Sequence, residues 1–283
     1  MNIIRNFTTG RFKPFPLFLL VAFTSSSICA QGDLLVFPKR IVFDGSLQKV
    51  KTLHISNIGT DTTTYRISHI EMEMVSDGRL VELDTLEASH NLASKFLRVF
   101  PRRVTLSPGE SQVVKIQMVN GNSLEKGEYR SHLYFRPVLE PQNPDRDQTG
   151  EPVTDQIKIK LNYVYGISIA NIIRIGKPEI KVSIDSLELK NLQKDRFTLT
   201  MAFRRSGNVS SYGSIVMEYI PLKGSPVLLN TIKGFAIYTP GNLRYATFDI
   251  NIPEDIHLGQ GHIRVTYLED GSKRIYAQQT LNL

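Results

Sequence analysis

Residues 157–175 read IKIKLNYVYGISIANIIRI. One set of alternate positions is Ile157, Ile159, Leu161, Tyr163, Tyr165, Ile167 and Ile169; the other is Lys158, Lys160, Asn162, Val164, Gly166 and Ser168. Period two with one apolar face is the signature of a β-strand. The run is too long for an ordinary one. Strands usually hold about 5–6 residues, and this alternation would reach roughly 43 Å at about 3.3 Å per residue. A small sandwich cannot cover all of it, so part of the apolar face is expected to overhang. An overhanging apolar strand invites aggregation, unless it is kept for lending to another protein's sheet.

The first thirty residues read as an export signal. Arg5, Arg11 and Lys13 form a basic start, residues 14–23 an apolar core, and residues 24–30 a small, polar cleavage region. The core is too short to span a bilayer as a mature helix. Cleavage is expected near Ala30; acylation of Cys29 is the alternative, although Ser26, Ser27 and Ile28 fit a lipobox poorly. Cutting there removes three cations and the only cysteine, and lowers the net charge from +7 to +4, since 34 − 3 = 31 Lys and Arg face 27 Asp and Glu. An exported chain without cysteine has no disulfide, so its core carries the stability. The remaining excess charge is spread thinly, with no Lys/Arg block longer than a pair such as Arg102-Arg103, and gives no reason to invoke nucleic acid. No later run approaches the roughly 20 apolar residues of a membrane span.

Helical periodicity is nearly absent; residues 83–96 are the one modest candidate. Elsewhere short alternating runs are punctuated by turn residues, which predicts an all-β chain. Strands are expected over 34–43, 50–56, 63–74, 96–106, 111–119 and 129–138, then the long one, about seven in all and a sandwich count. Residues 140–155 (EPQNPDRDQTGEPVTD) make a 16-residue polar loop, long enough to suggest a function. Gly176-Lys177-Pro178 marks a boundary, so the domains are expected at 31–175 and 176–283. Strands near 179–184, 197–204, 214–219, 227–232, 235–238, 245–250, 262–268 and 273–281 make the second a smaller sandwich.

The chemistry of a catalytic site is missing. His54, His69, His90, His132, His257 and His262 show no metal-ligand spacing. There is no G-x-S-x-G elbow and no phosphate loop. Asp77, Asp84 and Glu87 read as solvated loop acids. The expectation is a binding protein, not an enzyme, with no cofactor.

Five segments together resemble the divergent, non-classical branch of the PapD-like periplasmic pilus chaperones. They are residues 32–45 (GDLLV…RIVFDG), residues 53–57 (LHISN), residues 101–109 (PRRVTLSPG), residues 127–133 (GEYRSHL) and residues 165–169 (YGISI). The likeness covers 32–175 and is only generic beyond. It implies two immunoglobulin-like β-sandwich domains in a boomerang arrangement. It implies a periplasmic protein that captures pilus or spore-coat-like fibre subunits by donor-strand complementation and hands them to an outer-membrane usher. Chaperone–pilin complementation is itself a known instance of β-augmentation.

The resemblance assigns Arg40, through R-I-V-F-D-G, to gripping the subunit's terminal carboxylate, a task a guanidinium performs with two hydrogen bonds. A lysine on the last strand should stand beside it. Matching K-I-K-L makes that residue Lys160, but the polar residues 151–156 before it could not serve as donors. Matching the C-terminal end of the strand puts the position near Ala170, leaves Lys39 as a weak substitute, and makes Leu161, Tyr163 and Tyr165 the donors. The full donor set is Ile157, Ile159, Leu161, Tyr163 and Tyr165, with Ile167 and Ile169 expected in the chain's own core. Each donor is worth about 1.5–3 kcal/mol gross, so four or five supply about 6–15 kcal/mol before ordering and association costs. The absence of cysteine departs from many long-loop relatives, which carry a disulfide. An exported two-domain adhesion or surface-interaction module is the alternative reading.

Overall fold

The computed structural model describes residues 33–45, 49–83, 91–138, 165–193, 196–250, 252 and 258–283. The candidate signal segment and the 140–155 loop lie outside these. Among the described residues there is no α-helix; the candidate at 83–96 survives only as a 3-10 turn over Ala93–Phe96, residues 84–90 lying outside the described set.

The first sandwich begins with a switch. The single strand expected over 34–43 is two: β1 (Leu34–Phe37) and β2 (Arg40–Phe43), parted at Pro38. Proline lacks the N–H that would continue a ladder, and the chain crosses there from one sheet to the other. The same happens at Pro101, between β7 (Leu97–Phe100) and β8 (Arg103–Leu106). The remaining strands of this half are β3 (Val50–Asn57), β4 (Thr63–Ile70), a hairpin of β5 (Met72–Met74) and β6 (Leu80–Glu82), β9 (Ser111–Met118), β10 (Gly127–Pro137) and β11 (Ile167–Ile175).

One sheet runs β1-β3-β9-β7 and the other β2-β11-β10-β4-β8. Lettered along the chain, these are A-B-E-D and A′-G-F-C-D′, the immunoglobulin arrangement with its first and fourth strands each shared between sheets. Inward positions alternate along the strands, and Phe43, Leu53, Ile55, Leu106, Ile116, Leu133 and Phe135 are fully buried between the sheets. Asn57, at the end of the LHISN segment, is buried and closes the β3–β4 turn. Its Nδ2 donates to the carbonyls of Asp61 (2.7 Å) and Leu106 (2.9 Å), and its Oδ1 accepts from Gly59 N–H (2.9 Å).

Gly176, between β11 and β12, has φ +87, a left-handed conformation that glycine adopts without a Cβ penalty. The second half comprises β12 (Ile180–Gln193), β13 (Arg196–Gly207), β14 (Ser211–Pro221), β15 (Val227–Ile237), β16 (Leu243–Ile250), β17 (Gly261–Glu269) and β18 (Ile275–Asn282). The two strands expected at 227–232 and 235–238 are the one strand β15. Its sheets, β12-β13-β16 and β15-β14-β17-β18, again follow immunoglobulin order, A-B-E and C′-C-F-G. Its core is aromatic: Tyr267 stacks edge-on to Phe203 and Phe235 and donates its hydroxyl to the Phe235 carbonyl at 3.0 Å. Both sandwiches belong to one compact unit, Gly32–Leu283.

Candidate functional site

Strand β11 is where the two sandwiches and the long apolar alternation meet. It pairs antiparallel with β10 from Gly127↔Ile175 to Phe135↔Ile167, and parallel with β2 from Ala170↔Arg40 to Ile173↔Phe43. Ile169 and Ile173 point into the first core. Ala170 and Ile172 point the other way, onto Ala236 and Tyr238 of the second half. Residues 169–173 are therefore buried on both faces, and the simple alternation ends where the second sandwich covers the strand.

The paired strand begins only at Ile167. Of the seven apolar alternate positions, Ile167 and Ile169 pack in the first core as expected. Tyr165, the next position outward, is 71% exposed. Between them, a side chain on Gly166 would run into the Tyr134 ring, so the chain leaves the sheet closely wrapped against β10. Ile157, Ile159, Leu161 and Tyr163, with Lys160, lie outside the described residues.

Arg40 opens β2 at the seam between the sandwiches. Its guanidinium sits 3.9 Å from the centroid of the Tyr212 ring, a cation–π contact, and Nη1 is buried without a hydrogen-bond partner among the described residues. The residue beside it on β11 is Ala170, and beyond that, on β10, His132. Among the described residues, no lysine is paired with Arg40 in this register.

The nearby polar groups come from β10. Glu128, Arg130 and His132 occupy alternate positions on the face turned to the second sandwich. The Glu128 carboxylate is wholly buried; it takes Arg174 Nε (2.9 Å), Ser210 N–H (3.0 Å), Thr239 Oγ1 (2.9 Å) and a close bond from Ser210 Oγ. Arg130 lies 4.7 Å from the Tyr238 centroid and donates Nη2 to the Thr239 carbonyl at 3.1 Å, while Nε and Nη1 have no partner among the described residues. His132 meets the Tyr238 ring edge-on at 6.2 Å. Burial and the Arg130 charge push its imidazole down to about 3, so it is neutral at physiological pH. Sequence reasoning named Arg40 and passed over these groups, although GEYRSH shows the signal: three polar residues at period two in an otherwise apolar strand.

Among the described residues no group of three or more His, Cys, Asp or Glu is placed to hold a metal ion, and no helix is long and apolar enough to cross a membrane.

No protein-family model matches the chain, and no curated protein does. Solved structures do. The class 5 fimbriae chaperone CfaA is 16% identical, with 88% of this chain and 98% of that chain covered and a TM-score of 0.38. The SafB chaperone complex with the SafA pilin of Salmonella enterica gives 12%, 88%, 96% and 0.41 in the same order. The Pseudomonas aeruginosa CupB2 chaperone gives 13%, 88%, 98% and 0.39. The solved structures to which this chain is similar include these fimbrial chaperones. With TM-scores below 0.5, the weight of a functional reading falls on the chain's own residues.

Proposed function

We propose that this chain is an exported assembly chaperone for pilus or fibre subunits, acting in the periplasm and working with an outer-membrane usher. Residues 1–30 serve as its signal peptide, residues 31–175 as the subunit-binding domain and residues 176–283 as the second domain. One observation carries the reading. The sequence carries an apolar alternation from Ile157, strand β11 begins at Ile167, and Tyr165, on the same alternation just before it, is exposed. An apolar alternate position left exposed at the end of a strand, as Tyr165 is, is suited to completing a sheet in another molecule.

In this reading Ile157, Ile159, Leu161, Tyr163 and Tyr165 enter the groove of a subunit that lacks its last strand. Ladder hydrogen bonds supply affinity and the alternate side chains supply specificity. Arg40 receives the subunit's terminal carboxylate at the seam, where its Nη1 has no hydrogen-bond partner among the described residues. Lys160 assists only if the K-I-K-L match holds; the register that puts Ala170 beside Arg40 favours the other alignment. The reading requires no cofactor and no catalytic step.

The test is co-expression of the chain with candidate subunits, followed by purification from the periplasm. The wild type is expected to retain a subunit that Leu161→Asp/Tyr163→Asp loses. Recovery of both as subunit-free monomers would overturn strand donation.

A further inference from the structure

A wide cleft of the first sandwich lies at the opposite edge of the sheet from Arg40. Strand β4 continues to Ile70, but β8 leaves it after Arg66↔Arg103 and the bond from Ile67 N–H to the Arg102 carbonyl. The preceding segment, β7, belongs to the other sheet. The side of the sandwich therefore gapes between Ser68 and His69 on one lip and Leu97–Val99 on the other, enclosing about 580 Å³.

Arg66, Arg98, Arg102 and Arg103 line this cleft, and among the described residues no acidic one does. Arg98 is held by the carbonyls of Leu97 (3.0 Å) and Lys95 (3.4 Å). None of the four has an ion pair among the described residues. At the back, His69 shares the inward face with Leu133, and its Nε2 is buried without a partner among the described residues. Burial, then the charges of Arg102 and Arg98, push its imidazole down to about 4. The outer face repeats the pattern: Arg136, Arg66 and Arg103 stand directly opposite one another on three adjacent strands, all exposed. Directly opposed like charges are unfavourable in a sheet. Arg66, Arg98, Arg102 and Arg103 around a concave cleft, with an unpartnered imidazole nitrogen and no acid among its described lining, are what a compact multivalent anion requires.

We propose that this cleft is a binding site for a phosphate- or sulfate-type oxyanion, gripped by Arg66, Arg102 and Arg103, with His69 at its back. It is independent of the strand-donation reading. Guanidinium forks match the tetrahedral oxyanion. A concave site of this size fits a diphosphate or a phosphorylated headgroup better than an extended polymer.

The test is calorimetric titration of the full mature chain with pyrophosphate at ionic strength held constant with chloride. The expected result is saturable one-to-one binding, weakened at least tenfold in Arg66→Gln/Arg103→Gln and unchanged in the distant surface control Arg79→Gln/Arg274→Gln. Matching thermal melts show that the exposed substitutions leave the fold intact. Sedimentation with phosphatidylcholine vesicles, with and without phosphatidic acid, separates the sources. Binding that pyrophosphate displaces identifies a lipid phosphate; absence of vesicle binding alongside pyrophosphate binding identifies a free solute. Non-saturable heat, equal weakening in both double variants, or binding of hexaglutamate in place of pyrophosphate overturns the proposal.

Discussion

At the scale of single residues, the chain's cations are most informative through what surrounds them. Arg102 and Arg103 look in sequence like an isolated basic pair. Arg66, Arg98 and Arg136, each from a different strand, join them only because β4, β7, β8 and β10 converge. Each directly opposed pair in the row Arg136–Arg66–Arg103 is unfavourable, and less so for being exposed to solvent. The two buried histidines predict a pH dependence. His132 and His69 have folded-state values depressed to about 3 and about 4, below the 6.5 of an unfolded chain. The unfolded state therefore binds more protons as pH falls through 6.5. Their stabilising contribution is complete above that value and declines from about pH 6.5 towards 4, by at most about 1.4 kcal/mol per pH unit for each histidine. Urea unfolding between pH 7 and 5 should show a falling midpoint, and His132→Gln should flatten the slope.

At the scale of elements, the core packing of β11 and the strand donation proposed for the residues before it can be separated by a substitution series. Ile169 is 5% exposed and sits in the first core, so Ile169→Ala is expected to cost about 2–5 kcal/mol. Tyr165, four residues earlier on the same alternation, touches no core cluster, so Tyr165→Asp should change stability by no more than about 0.5 kcal/mol. Thermal unfolding of the free protein checks both. In the co-expression assay Tyr165→Asp should still release the subunit, separating binding from folding. Equal destabilisation by both substitutions would place Tyr165 in the protein's own core. The element boundaries carry a related lesson. Residues 34–43 and 96–106 each read as one strand because their apolar alternation continues. Each is two strands in different sheets, since Pro38 and Pro101 cannot supply the ladder N–H.

At the scale of the whole molecule, the Glu128 cluster and the patch of Ala170, Ile172, Ala236 and Tyr238 join the sandwiches. Glu128 is fully buried and its partners come from both halves: Arg174 from β11, Ser210 and Thr239 from the second. Removing one partner of a buried pair leaves the other charge uncompensated. Glu128→Gln should therefore cost about 3 kcal/mol, near the lower end for such pairs because Arg174 keeps partial contact with water. Calorimetry should resolve the wild type as one cooperative transition and the variant as two overlapping ones, the first and second sandwiches melting separately. A single unshifted transition in the variant would show that the apolar patch alone couples the halves.

The sequence by itself determined the local periodicities and, through them, the architecture. Period-two runs with turn residues between them specify strands, their inward faces and an all-β chain, because side-chain direction in a strand depends only on parity. The alternation from Ile157 also marked β11, and Arg40 was legible through the segment around it. Tertiary structure alone decided which sheet each strand enters, since pairing partners far apart in the chain compete for the same edges. It decided that Ala170 stands beside Arg40, because that neighbour is set by the parallel register between β2 and β11. It also decided that residues 169–173 are buried on both faces, and that arginines from three strands, β4, β7 and β8, and from the turn between the last two line one cleft. Those outcomes depend on non-local packing, which no short-range pattern encodes.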